Sequence, residues 1–340
     1  MTRIAFVGKG GSGKTTLAAL FSRFLGMQQC VVLAIDADIN QHLGEALGLS
    51  AQEAAAVPPL GGEMGRIKGY LRGTNPRIAS VEEMIKTTPP GHGSRLLRVA
   101  ENNPLFDYFA RSVDEVRLLV TGPFSEEDLG LKCYHSKVGA VELLLNHCAY
   151  SPDDYLVVDM TAGADSFASG LFTRFDLTCI VVEPTLRALG VYQQYKTYAQ
   201  GYGVRLCVIG NKVENEDDLA FLREHIGEDL LTWIGRSAYV RAMEKGHIQP
   251  LSHLEAAHMR ALEAIKAEVD TCEKDWMTFY QQAVDFHRKN ALSWANAQIG
   301  ADLTLQIDPA EILTCATIAR SSFLPSTNMC QGMLNGHPFT

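Results

Sequence analysis

The chain has 340 residues, 46% hydrophobic and 20% charged, and a formal net charge of −9. This is enough apolar material for a large core in one or two domains, and the acidic balance argues against a general binder of nucleic acid or anionic membrane. No apolar run reaches membrane-spanning length, no signal segment precedes the first strand, and the eight cysteines form no C-x-x-C pair, so a reducing cytoplasm is expected.

The apolar run Ile4-Ala5-Phe6-Val7 reads as a buried strand. It leads into Gly8-Lys9-Gly10-Gly11-Ser12-Gly13-Lys14-Thr15-Thr16, with the spacing G-x-x-x-x-G-K-[ST] of a phosphate-cradling loop. Glycines let successive backbone N–H groups curl inward, and the helix opened by Thr15 turns its positive end to an anion. Lys14 is placed to neutralise phosphates and the Thr15 hydroxyl to hold Mg²⁺. A second lysine, Lys9, follows the first glycine, where an ordinary phosphate loop needs none. This K-G-G-x-G-K-T-T form resembles the deviant Walker A loop of the MinD/ParA family of dimeric ATPases, which includes the nitrogenase iron protein and the CooC-like maturation ATPases. The resemblance implies that Lys9 reaches across a two-fold interface to the partner's nucleotide.

Val31-Val32-Leu33-Ala34-Ile35 predicts a parallel strand ending in Asp36-Ala37-Asp38-Ile39-Asn40, with its aspartates turned to the nucleotide. The segment resembles the family's first switch, which gives Asp38 the role of orienting the attacking water or the magnesium shell. Ile39 stands where that family carries proline. From about 50 to 114, Pro and Gly clusters punctuate short helical pieces. Basic residues predominate there (Arg66, Lys68, Arg72, Arg77, Lys86, Arg95, Arg98), fitting a solvated cover over the sheet edge or a docking face for an acidic partner.

After a strand and its exit over Val116–Pro123 comes Cys133-x-His135, where CooC proteins carry a C-x-C metal motif. The resemblance implies an inter-subunit Zn²⁺ or Ni²⁺ site made by this pair from each of two chains; the plainer reading is a packed cysteine and a backbone-bonded histidine. Tyr155–Asp159 is an apolar strand ending in an aspartate, placing Asp159 beside magnesium-bound water. With Gly163 it resembles the second switch. No cysteine falls between residues 160 and 170, which speaks against an iron–sulfur reductase. Strands over Leu177–Val182 and Val204–Ile209 follow. Asn211, at the end of the latter, is expected to meet the base. Its surroundings approach the guanine-reading N-K-x-D but carry Glu214, so ATP is favoured and GTP kept open.

The family resemblance closes near residue 250. Residues 254–293 contain neither Gly nor Pro, and an apolar seam (Leu262, Ile265, Val269, Cys272, Trp276, Phe279, Ala283, Phe286) predicts one long helix. Residues 300–340 read as a tail of uncertain order. The expected fold is α/β, a mostly parallel sheet with helices on both faces and a C-terminal helical extension. It divides into 1–250 (with the 50–114 insertion), 251–299 and 300–340. The expected function is a homodimeric, Mg²⁺-dependent ATP hydrolase driving an unidentified client process of the CooC type, with Lys9, Lys14, Asp38 and Asp159 in catalysis. The alternative is a ParA- or MinD-like spatial organiser that binds DNA or membrane in its ATP state.

Overall fold

The computed structural model describes residues 1–123, 134–149, 154–162, 167, 170–272 and 275–310, the side chains of 134–136 excepted. Eight described strands form one sheet: β1 (Thr2–Gly8), β2 (Val31–Ala37), β3 (Arg111–Val113), β4 (Val116–Val120), β5 (Asp154–Thr161), β6 (Leu177–Val182), β7 (Leu206–Gly210) and β8 (Leu230–Trp233). Their order is β3-β4-β2-β5-β1-β6-β7-β8. All neighbours run parallel except the edge strand β3, which is antiparallel to β4.

Strands buried on both faces should be apolar on both, and β1 is: Ile4, Ala5, Phe6 and Val7 are each fully buried. Ala5 and Val7 join a core with Ile35, Val158, Val141, Leu144, Leu189 and Tyr192. Ile4 and Phe6 join the opposite core with Val32, Val157, Leu20, Phe21, Leu262 and Ile265. Helices therefore cover both faces, as the apolar runs predict. Helix α1 (Lys14–Met27) buries Leu17, Leu20, Phe21, Phe24 and Leu25 almost completely. At about 1.5–3 kcal/mol for each large apolar side chain, this docking fixes the helix end that carries Lys14.

The long helix expected over 254–293 is instead two helices, Ala256–Asp270 and Trp276–Asn290. Thr271 Oγ1 and Cys272 Sγ turn back onto the Glu268 carbonyl at 2.7 and 3.5 Å, and Asp275 caps the second helix by accepting the Thr278 N–H at 3.0 Å. The seam divides accordingly. Leu262, Ile265 and Val269 pack with α1. Phe279 lies against the buried Arg174 guanidinium at 4.2 Å and Phe286 against Phe172 at 6.1 Å.

Beyond a π-turn over Ala291–Ala295, the segment to Asp308 closes onto the insertion. Gln306 donates to the Glu83 carbonyl at 3.0 Å, and Asp308 accepts the His92 N–H at 2.9 Å. Several basic side chains of the insertion are engaged within the chain. Arg72 donates to the Ile78 and Ala79 carbonyls at 2.7 and 2.9 Å, Arg77 lies 3.8 Å from Asp308, and Arg66 and Arg95 stack on Tyr108 and Tyr70. This arrangement fits a cover over the sheet. No described helix is long and apolar enough to cross a membrane.

Candidate nucleotide site

Between the end of β1 at Gly8 and the start of α1 at Lys14 the chain must reverse sharply. Gly11 (φ 82°) and Gly13 (φ 92°) make the turn in the left-handed region. A methyl group on Gly13 would strike the Asn211 amide, and one on Gly8 would meet the Val181 carbonyl at 2.9 Å. The turn closes with Ser12 N–H on the Lys9 carbonyl at 3.0 Å. The first N–H groups of α1 are left without intrahelical partners, at the positive end of the helix dipole.

The parallel register carries the aspartates to the same end of the sheet as this loop. Asp159 lies opposite Phe6 on one side and Asp36 on the other. Lys14 Nζ pairs with Asp38 Oδ2 at 2.5 Å and with Asp159 Oδ1 at 3.6 Å, and donates to Thr15 Oγ1 at 3.3 Å. One buried ammonium thus faces three buried carboxylates: Asp36 and Asp159 are fully buried and Asp38 is 3% exposed.

That imbalance sets the protonation states. Burial, then the Asp159 charge, pushes Asp36 up to about 8, against N–H groups of Leu43 and Asp38 that favour its anion. Burial raises Asp159 to about 6, against the pull of Lys14. Burial also works to raise Asp38, but Lys14 and two N–H groups of Asn40 outweigh it and hold the carboxyl below its ordinary value. No donor among the described residues reaches either Asp159 oxygen in full hydrogen-bond geometry, and the Lys14 ammonium stands 3.6 Å from Oδ1. A buried carboxylate so placed, beside Asp38 and the Thr15 hydroxyl, is an all-oxygen donor set that fits Mg²⁺.

Asn211 is 8% exposed, and its Nδ2 donates to the Ser12 carbonyl at 2.6 Å. Its Oδ1 accepts the Lys212 N–H at 2.8 Å, so the side chain expected at the base also holds the phosphate loop. Glu214, at the position of a guanine-reading aspartate, is paired with Arg236 at 2.6 Å. Sequence reasoning missed Gln41, and it turned Asp36 to the nucleotide without giving it a role. Asp36 accepts the Asp38 and Leu43 N–H groups at 3.2 and 2.8 Å and so shapes the first switch. Gln41 (φ 53°) donates to the Asp38 carbonyl at 2.8 Å and accepts the Gly122 N–H at 3.2 Å. Asp36 had a signal in the D-x-D spacing; Gln41 had none. Ile39, in place of the family's proline, is 40% exposed.

Cys133, Gly163 and the side chain of His135 lie outside the described residues. Among the described residues no group of three or more His, Cys, Asp or Glu side chains is arranged to hold a metal by itself.

A glycine loop running into a helix, with carboxylates at the ends of neighbouring parallel strands, defines a P-loop nucleotide-binding protein. Residues 4–250 match the CbiA family, the CobQ/CobB/MinD/ParA nucleotide-binding domain, and the chain belongs to that family. It is 27% identical over 254 residues to the carbon monoxide dehydrogenase accessory protein CooC of Rhodospirillum rubrum, covering 72% of this chain and 87% of that one. To an uncharacterized ATP-binding protein of Methanocaldococcus jannaschii it is 30% identical over 229 residues, covering 67% and 81% of the two chains. Among solved structures, the MinC:MinD cell division complex of Aquifex aeolicus matches 81% of this chain and 98% of that chain at 18% identity, with a TM-score of 0.51. A putative plasmid partition protein of Borrelia burgdorferi bound to AMPPNP matches 79% and 98% at 15% identity, TM-score 0.52. These two show the shared fold. The protein is an ATPase of the MinD/ParA type.

Proposed function

We propose that this ATPase is a nucleotide-switched homodimer whose cycle serves maturation of a metal centre in a client protein. The observation that carries the dimer is Lys9. It sits half-buried at the rim of the phosphate loop, and its amine makes no hydrogen bond or ion pair with a described residue. A cation placed beside a phosphate site and unpaired among the described residues suits the triphosphate of a second copy. The likeness to CooC supports the client class.

In this reading Lys14 leaves Asp38 for the β and γ phosphates when ATP enters. The freed Asp38 carboxylate and Asp159 then align the attacking water, and Gly163 follows the γ-phosphate. Phosphoryl transfer asks for positioning and charge neutralisation, which residues 8–16 and the two aspartates supply. Mg²⁺ would be held by Thr15, with Asp38 and Asp159 in its shell, and would supply neutralisation of phosphate charge. Cys133 and His135 from two subunits would bind Zn²⁺ or Ni²⁺ as cargo for the client.

The test is light scattering after size exclusion, with and without a slowly hydrolysed ATP analogue, alongside ATP turnover. Wild type should dimerise with the analogue, and Lys9→Ala should neither dimerise nor turn over normally. A Lys9→Ala protein that does both at wild-type level refutes the shared-site reading. ATP-dependent retention on DNA or liposomes that is lost in Lys9→Ala would replace the maturation role with a spatial one.

A further inference from the structure

Two adjacent residues at the carboxyl end of β7 hold two successive carbonyls of the phosphate loop. Asn211 takes Ser12 O, and Lys212 Nζ donates to Gly11 O at 2.7 Å. The same ammonium pairs with Glu183, at the end of β6, at 2.5 Å. We infer that Lys212 is a positioning residue of the nucleotide site, aimed by Glu183 and holding the tip of the loop in its receptive shape before nucleotide arrives.

Three observations carry this. First, Lys212 has φ 60°, a left-handed conformation that an L-residue with a β-carbon adopts under strain. Second, its ion pair is solvent-accessible, with side chains 47% and 30% exposed, and a pair of that kind returns little stability. Strain is thus kept at a place where the fold gains little from it. Third, among the described residues the tip is not packed against: a β-carbon on Gly10 or Gly11 would meet none of them within 4 Å. Among the described residues, what fixes the tip is the turn bond from Ser12 N–H to Lys9 O, the Asn211 amide on Ser12 O and the Lys212 tether on Gly11 O. A glycine-rich tip left free would have to be ordered by the ligand at a cost in affinity, and the tether removes that cost in advance.

The inference rests on residues 8–16 being the phosphate site. The experiment is calorimetric titration of ADP into nucleotide-free full-length protein, with a melting curve for each variant. Lys212→Met should weaken ADP binding about tenfold through loss of a charge-assisted hydrogen bond, with melting unchanged. Lys212→Gly should bind as weakly while melting at the same temperature or higher, because glycine relieves the strained φ. Lys212→Arg, which keeps a cationic donor, should restore most of the affinity, and Glu183→Gln should lose less than Lys212→Met. Lys212→Met binding within about twofold of wild type, a value well inside the effect of one such bond, would overturn the inference. So would weakened binding that tracks a fall in melting temperature, or no rescue by arginine. Lys14→Ala separates the two levels: if it binds ADP as tightly as wild type, the phosphate-site assignment itself fails, whatever Lys212 does.

Discussion

Replacing Lys14 by methionine should destabilise the nucleotide-free protein, and by an amount that depends on pH. The ammonium lies 2.5 Å from Asp38 and 3.6 Å from Asp159. At an effective dielectric near 20, these pairs attract by roughly 7 and 5 kcal/mol before desolvation is counted. Most of that is offset by the cost of burying the charges, and removing one member of such a buried set typically costs about 3–5 kcal/mol. At about 2–4 °C per kcal/mol for a domain of this size, Lys14→Met should melt on the order of 10 °C lower at pH 8. Asp159 and Asp36 already have folded values of about 6 and about 8, above the ordinary 3.8. An acid raised in the folded state binds more protons folded than unfolded, so stability falls as pH climbs from the ordinary value through the raised one. Without Lys14 the Asp159 value rises further and the fall between pH 6 and 8 steepens. The deficit against wild type should therefore shrink markedly at pH 6. Melting of both proteins without nucleotide, from pH 6 to 8, measures it. A deficit under 2 °C at pH 8, or one the same at both ends, would refute the idea that these carboxylates depend on one lysine.

Other outcomes follow from the same geometry. Gly13→Ala forces a β-carbon into a position with φ 92° and against the Asn211 amide. Together, the strain and a lost buried hydrogen bond should weaken ADP binding by roughly 2–3 kcal/mol in calorimetry, and unchanged affinity would show that the turn has room. Asp275→Ala removes the cap of helix Trp276–Asn290 and should cost about 1 kcal/mol, read as faster amide exchange in its first turn with the phosphate loop unaffected. On the proposed dimeric cargo site, wild-type protein should retain zinc or nickel that Cys133→Ser loses; equal metal content by mass spectrometry would remove Cys133 from that site.

The phosphate loop and the buried strands are legible in the chain because their signals are local. Glycines at 8, 10, 11 and 13 restrict what residues 8–16 can form, and runs such as Ile4–Val7 and Tyr155–Val158 suit only strands covered on both faces. The apolar seam over 254–293 misled, because helical spacing shows that a face is buried but not against what. The break comes where Thr271 and Cys272 bond back to Glu268 and Asp275 starts a new helix, leaving the two halves to different packing partners. Only the fold could decide which charges meet. Asp36, Asp38 and Asp159 gather on Lys14 because β2 and β5 pair in parallel register, and Lys212 reaches Gly11 because β7 ends beside the loop. Pairings between residues some 20 to 200 positions apart depend on strand order, and no short-range preference of the backbone encodes it.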